Sequence, residues 1–155
     1  MGTNFSMTNT TKNKYVKYLL DDKGTGHVFE RKQLLVLEQT KYQKLEISDL
    51  DILGRVLVLD NIIQLSELDC DRYHETFAHI PMSQIGEPKR ALILGGGDGI
   101  LANELLKYDN LIIDMVDIDD RVIELSKTNF FRSDESSLIS FANSLSYFLS
   151  VLSVL

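Results

Sequence analysis

Past a polar stretch rich in Thr and Asn at residues 1–13, the chain changes to short runs that alternate apolar and polar side chains: KYVKYLL, HVFERK, LLVLEQT, YQKLEIS and RVLVL. Asp-Asp-Lys-Gly, Ser-Asp-Leu-Asp and Asp60-Asn61 break them apart. Period-two runs bounded by such breaks predict the strands and hairpins of a small antiparallel β-domain over residues 14–68. The aperiodic leader, 1–13, predicts disorder. Within YQKLEIS, Tyr42, Lys44, Glu46 and Ser48 share one face, and Gln43, Leu45 and Ile47 share the other. The Gln43 amide thus sits among apolar neighbours and needs a partner there, from backbone or from a ligand.

At Asp69 the period changes. In DCDRYHETFAHIPM, Tyr73, Phe77 and Ile80 recur at i, i+4 and i+7, which predicts an amphipathic helix with Asp69 or Asp71 as N-cap and Pro81 helping to stop it. His74 neighbours that stripe, as a surface or core histidine or as a ligand-facing one. His74 and His79 are five apart and do not share a helical face as a zinc pair would, so no metal site is expected. Residues 83–89, with Gly86 and Pro88, read as a linker that closes a helix-and-linker segment, 69–89. Then come a short apolar strand, Arg90 to Leu94; a helix, Asp98 to Lys107; a buried strand, Leu111 to Asp117; and a helix from Asp119 to Lys127 with Asp119 and Asp120 at its cap. Strand, glycine turn, helix and strand within about thirty residues open a doubly wound domain. The predicted fold class is therefore α/β, a small N-terminal antiparallel β-domain followed by the first βαβα part of a Rossmann domain over 90–137. Residues 138–155 form an atypical tail, 18 residues rich in Leu and Ser and without charge. Its five serines weaken the case for a membrane span.

Composition narrows the partners. A formal net charge of -7 argues against a nucleic-acid or anionic-membrane partner and is compatible with a cationic one. The single cysteine, Cys70, forms no internal disulfide, and no secretory signal opens the chain, so a cytoplasmic setting is expected. The sequons at Asn4 and Asn9 are then idle, and Gly2 meets only a loose myristoylation pattern.

The chemistry concentrates at Gly95-Gly96-Gly97-Asp98-Gly99. A glycine turn that opens a helix invites phosphate, and Gly97 to Ala102 can be forced into the dinucleotide pattern G-x-G-x-x-A. Asp98 opposes that reading. A carboxylate about 4 Å from a pyrophosphate oxygen costs up to about 4 kcal/mol at an effective dielectric near 20. Asp98 is either a helix cap or the contact for an ammonium group. Asp117, 22 residues beyond Gly95 at the end of the second strand, is placed to accept ribose hydroxyls. Together these describe an adenosine ligand with a cationic tail and no phosphate.

The succession V-L-D-x-x-I-Q, Y-H-E, G-G-G-D-G and V-D-I-D, spread from about Lys14 to Lys127, resembles the spermidine and spermine synthases, the polyamine aminopropyltransferases. The resemblance implies an N-terminal β-domain with a methyltransferase-like Rossmann domain, often as a homodimer. It implies no cofactor, with decarboxylated S-adenosylmethionine as co-substrate donating an aminopropyl group to putrescine, spermidine or a related amine. Carried over by motif, Gln43 and Asp117 would contact the donor or its product methylthioadenosine, His74 and Asp98 would contact the amine ends, and Gln64 and Tyr73 would line the cleft. The glycine turn would be Gly95, Gly96, Gly97 and Gly99.

The resemblance has a limit. It implies a proton-accepting aspartate in an Asp-Ser-x-Asp-Pro-like loop, and no such loop follows Lys127, where Asp134 stands in a Ser-rich stretch. Position 100 is Ile, where the family frequently has a second glycine. The expectation is a C-terminally truncated member without a catalytic residue of its own. The alternative is a non-catalytic paralogue or isoform that binds nucleoside or dimerises with a full-length synthase.

Overall fold

The structure, a computed structural model, describes residues 14–21 and 23–130. The leader, Gly2, Asn4, Asn9, Asp134 and the 138–155 tail lie outside them. The chain divides into two compact units: one runs up to Gln39 and from Gln43 to Leu68, and the other holds Thr40–Tyr42 and the chain from Asp69 onward.

The first unit is a closed barrel of five strands: β1 (Tyr15–Leu19), β2 (Gly26–Gln39), β3 (Lys44–Leu50), β4 (Gly54–Leu59) and β5 (Ile62–Ser66). Neighbours pair antiparallel in chain order, and a parallel contact of Leu19 with Ile62 closes the ring. HVFERK and LLVLEQT are one strand, not two. β2 runs for 14 residues and absorbs the polar Lys32-Gln33 step as a register shift against β3 between Arg31 and Gln33. Such a bulge bends a strand and helps a sheet curl. Asp60 and Asn61 take positive φ, 48° and 67°, in the β4–β5 turn that the Asp-Asn pair signalled.

β3 is buried on both faces. Leu45 and Ile47 are buried, and so are Glu46 and Ser48. Tyr18, Leu50, Val56 and Val58 pack together with Val16, Phe29, Leu53 and Ile63 around them. Glu46 Oε1 accepts from the Tyr18 hydroxyl, from Arg31 and, at 2.7 Å, from Ser48 Oγ. The Arg31 and Glu46 side chains are 9% and 6% exposed, so the pair is a buried one and needs those extra hydrogen bonds to offset its desolvation. Gln43 is not on β3. It lies half-buried in the bend ahead of that strand.

The second unit comprises α1 (Cys70–Ile85), β6 (Arg90–Leu94), α2 (Ile100–Leu105), β7 (Ile112–Val116) and α3 (Asp120–Asn129). β6 and β7 pair in parallel, in register from Arg90 with Ile112 to Leu94 with Val116. This is the predicted βαβα opening, with the strands one residue or less from their expected starts. Asp119 caps α3, accepting the Arg121 amide.

α1 departs from expectation twice. The stripe Tyr73, Phe77 and Ile80 is exposed, at 60%, 57% and 60%, and the buried face is His74, Ala78 and Met82. Ala78 and Met82 join Ile93, Ala102, Leu105 and Met115 in one apolar cluster. Large aromatics dominated the periodic signal, yet the face that packs closely on α2 and the strands is the one with the small alanine, which lets backbones approach. Pro81 also fails to stop the helix. α1 continues to Ile85, the Ser83 hydroxyl donates to the Ile80 carbonyl, and the chain leaves at Gly86 with φ 86°. Buried Met82 lies beyond the proline, and its packing holds the last turn.

Candidate functional site

The site in the second unit forms where β6, β7 and α1 deliver side chains to the glycine turn. Gly95 donates its amide to Val116 O and Gly99 donates to Gly96 O, each at 2.8 Å. Gly95, Gly96 and Gly99 have φ of 82°, 76° and 77°, backbone that side-chain-bearing residues rarely adopt. Gly97 has a different reason. A Cβ there would lie 2.8 Å from Asp117 Oδ2 and 3.1 Å from Val122 Cγ1.

Asp117 stands just past the end of β7. Its Oδ2 accepts the Gly97 amide at 2.8 Å and its Oδ1 accepts the Asp119 amide at 2.9 Å. Each carboxylate oxygen has a second lone-pair site, so a carboxylate fixed in this way still accepts further hydrogen bonds. Asp119 is 1% exposed, and its Oδ2 accepts from Thr40 Oγ1 at 2.7 Å. Thr40 was not singled out in the sequence; 79 residues separate the two, and no local pattern signals the contact.

Asp98 is not the N-cap of α2, which is Gly99; it stands one residue ahead, and its Oδ1 accepts the Ile100 amide at 2.9 Å. The same oxygen lies 3.5 Å from His74 Nε2. The histidine side chain is 7% exposed and the aspartate 19%. His74 Nδ1 is 2.7 Å from the Cys70 carbonyl, an acceptor only, so Nδ1 carries a hydrogen and donates it. In neutral His74, Nε2 is then a lone pair that faces a carboxylate oxygen. Two acceptors confront one another there, and a proton on the ring or an N–H donor from a ligand resolves the conflict. Tyr73 meets His74 edge-on at 5.0 Å and stacks on Phe77 at 6.0 Å. Burial, with Asp71 next in effect, pushes the Cys70 thiol up from its ordinary range.

Of the predicted residues, the structure thus joins His74 with Asp98 and Tyr73, and Asp117 with Gly97. Gln43 and Gln64 belong to the barrel unit. Gln64 is exposed on β5, its amide 3.4 Å from the Ile62 carbonyl. A further cluster joins α1 to α2: His79 Nε2 is 3.0 Å from Glu104 Oε2, and His79 Nδ1 is 2.7 Å from the Tyr108 hydroxyl. Lys107 Nζ donates to the same Glu104 oxygen at 2.6 Å, a hydrogen bond that raises the lysine pKa. Among the described residues, no group of three or more His, Cys, Asp or Glu is arranged to hold a metal, and no helix is long and apolar enough to cross a membrane.

A half-Rossmann unit with a carboxylate in its glycine turn and another beyond its second strand defines an α/β protein of the doubly wound class. Comparison with known proteins gives the family. Residues 18–67 match the model described as spermidine synthase tetramerisation domain, and residues 70–144 match the spermine/spermidine synthase domain. The chain belongs to the spermidine/spermine synthase family. It is 36% identical over 108 residues to spermine synthase of Arabidopsis thaliana, covering 69% of this chain and 30% of that protein. It is 38% identical over 120 residues to the polyamine aminopropyltransferase of Thermococcus onnurineus, covering 77% and 42%. Among solved structures, spermidine synthase from Thermotoga maritima superposes with a TM-score of 0.75 at 28% identity, covering 88% of this chain and 50% of that one. A spermidine synthase in complex with the transition state analogue AdoDATO gives 0.75 at 26%, covering 86% and 47%. The chain spans a half or less of the length of each of these relatives.

Proposed function

We propose that this chain supplies the donor- and amine-binding part of a polyamine aminopropyltransferase, acting in transfer from decarboxylated S-adenosylmethionine to putrescine or a related amine. The observation that carries the reading is the confrontation of His74 Nε2 with Asp98 Oδ1 at 3.5 Å beside the glycine turn. An ammonium group donates to both atoms and brings the positive charge that the carboxylate lacks; a phosphate does neither. Asp117, held by the Gly97 and Asp119 amides, takes the ribose hydroxyls. Tyr73, edge-on to His74, lines the amine end of the site.

The chemistry follows from charge. Donor and acceptor are both cations, and carboxylates at one site reduce their repulsion. The acceptor nitrogen loses a proton to a base and attacks the methylene next to the sulfonium. The C–S bond breaks, and its electron pair leaves with sulfur as neutral methylthioadenosine. In a second reading the chain acts as a dimerisation or nucleoside-binding module, as a homodimer or with a full-length synthase. The name of the family model over residues 18–67 supports self-association. A cytoplasmic setting fits a chain whose single cysteine forms no internal disulfide.

Calorimetry on the purified full chain tests the site. Methylthioadenosine is expected to bind, with binding lost in Asp117→Ala; putrescine is expected to bind, with binding weakened in Asp98→Asn. A folded chain that takes up neither compound refutes the proposal.

A further inference from the structure

We infer that His79, Glu104 and Tyr108 are positioning residues, a polar clamp that sets α1 against α2 so that His74 meets Asp98. Two polar contacts lie between α1 and the segment from Asp98 to Tyr108 that contains α2. At one end His74 Nε2 is 3.5 Å from Asp98 Oδ1; at the other His79 Nε2 is 3.0 Å from Glu104 Oε2, and His79 Nδ1 is 2.7 Å from the Tyr108 hydroxyl. The spacing is consistent with one rigid register. His79 lies five residues beyond His74, about 7.5 Å along α1, and Glu104 lies on α2, six residues beyond Asp98 in the turn ahead of that helix.

Apolar packing alone does not set that register. α1 contributes Ala78, between the two contacts, and Met82, beyond them, to the shared cluster. A small side chain and a flexible one tolerate sliding and rotation. The clamp is directional. In the neutral ring Nε2 donates to Glu104, an acceptor only, and Nδ1 then accepts from the Tyr108 hydroxyl, so that with both nitrogens engaged the imidazole is held in one orientation. Glu104, 12% exposed at its side chain, is further fixed by Lys107. A turn or slide of α1 that breaks His79 from Glu104 also carries His74 away from Asp98, because both histidines ride on one helix.

The inference rests on the amine-binding reading of His74 and Asp98 for its functional consequence, but its geometric content is tested without ligand. The full chain, labelled with nitrogen-15 in its histidines, is compared with His79→Ala, Glu104→Ala, Glu104→Gln and Tyr108→Phe. The His74 ring signals, assigned by their loss in His74→Gln, are expected to move in both alanine variants toward their position in Asp98→Asn. Glu104→Gln, whose amide oxygen still accepts from His79, restores them. Putrescine affinity falls roughly tenfold in the alanine variants, and adds no further loss in the Asp98→Asn background, the signature of coupled sites. Methylthioadenosine affinity stays within about twofold, since Asp117 is anchored by backbone amides and not by α1. If the alanine variants fail to fold, Tyr108→Phe, which removes one hydroxyl, carries the test with a smaller movement in the same direction. His74 signals that stay at their wild-type positions in every folded clamp variant overturn the inference. Signals that move while wild type binds no putrescine uphold the clamp and refute the amine reading instead.

Discussion

Asp117 Oδ2 accepts the Gly97 amide at 2.8 Å, and a Cβ added to residue 97 would lie at the same 2.8 Å from that oxygen. The close approach is what a carboxylate must make to use a backbone N–H as its anchor, and only glycine leaves room for it. Gly97→Ala is expected to displace the Asp117 carboxylate. The stability cost is that of overpacking, about 1–3 kcal/mol. Nucleoside affinity falls further, toward that of Asp117→Ala. Urea unfolding beside calorimetry separates the two effects, and unchanged nucleoside affinity in Gly97→Ala would contradict the anchoring role.

Glu46 holds Arg31 inside the barrel. Glu46→Gln removes the charge that neutralises a guanidinium 9% exposed, and is expected to cost about 3–5 kcal/mol. Replacing both residues, as Arg31→Met with Glu46→Leu, is expected to recover most of that loss, since a well-packed apolar pair avoids the desolvation penalty. Urea midpoints for the two variants check the order.

Tyr18 shares that network. Its pKa is raised above the ordinary 10.0, first by burial and then by its hydrogen bond to Glu46. A raised folded value means the neutral phenol is favoured in the fold, so its contribution to stability is complete below pH 10 and is lost as pH rises through the folded value. The urea midpoint of wild type is expected to fall above pH 10 more steeply than that of Tyr18→Phe. Parallel alkaline limbs would show that the phenol does not titrate against the fold.

On α1, Met82→Ala is expected to cost about 2–4 kcal/mol, because Met82 is 7% exposed within the apolar cluster. Phe77→Ala, at a position 57% exposed, is expected to stay within about 0.5 kcal/mol in the isolated chain. Thermal or urea unfolding decides between them. The reverse order would restore the aromatic stripe as the packing face.

That contrast shows where the sequence was informative. Glycine turn, strand ends and the Asp119 cap are local signals, governed by backbone conformation within a few residues, and the βαβα opening was legible from them. Which face of α1 packs was not, because periodicity weighs hydrophobicity and the helix interface instead selects close approach at Ala78. Barrel closure rests on one parallel contact, Leu19 with Ile62, which no pattern announces. Glu46 and Ser48 looked like one face of a half-exposed strand, yet both are buried. The Y-H-E and G-G-G-D-G motifs pointed to His74 and Asp98, but their confrontation, and the engagement of His79 by residues 25 and 29 positions away, emerge only from the packing of α1 on α2.

The most direct measurement is a competitive calorimetric titration of the full chain with methylthioadenosine and NADH. A site built from Asp98 and Asp117 is expected to bind methylthioadenosine, to lose that binding in Asp117→Ala, and to give no heat with NADH up to its solubility. NADH binding that displaces methylthioadenosine and strengthens no further in Asp98→Ala would contradict the account, since the carboxylate in the glycine turn would then not be selecting against pyrophosphate.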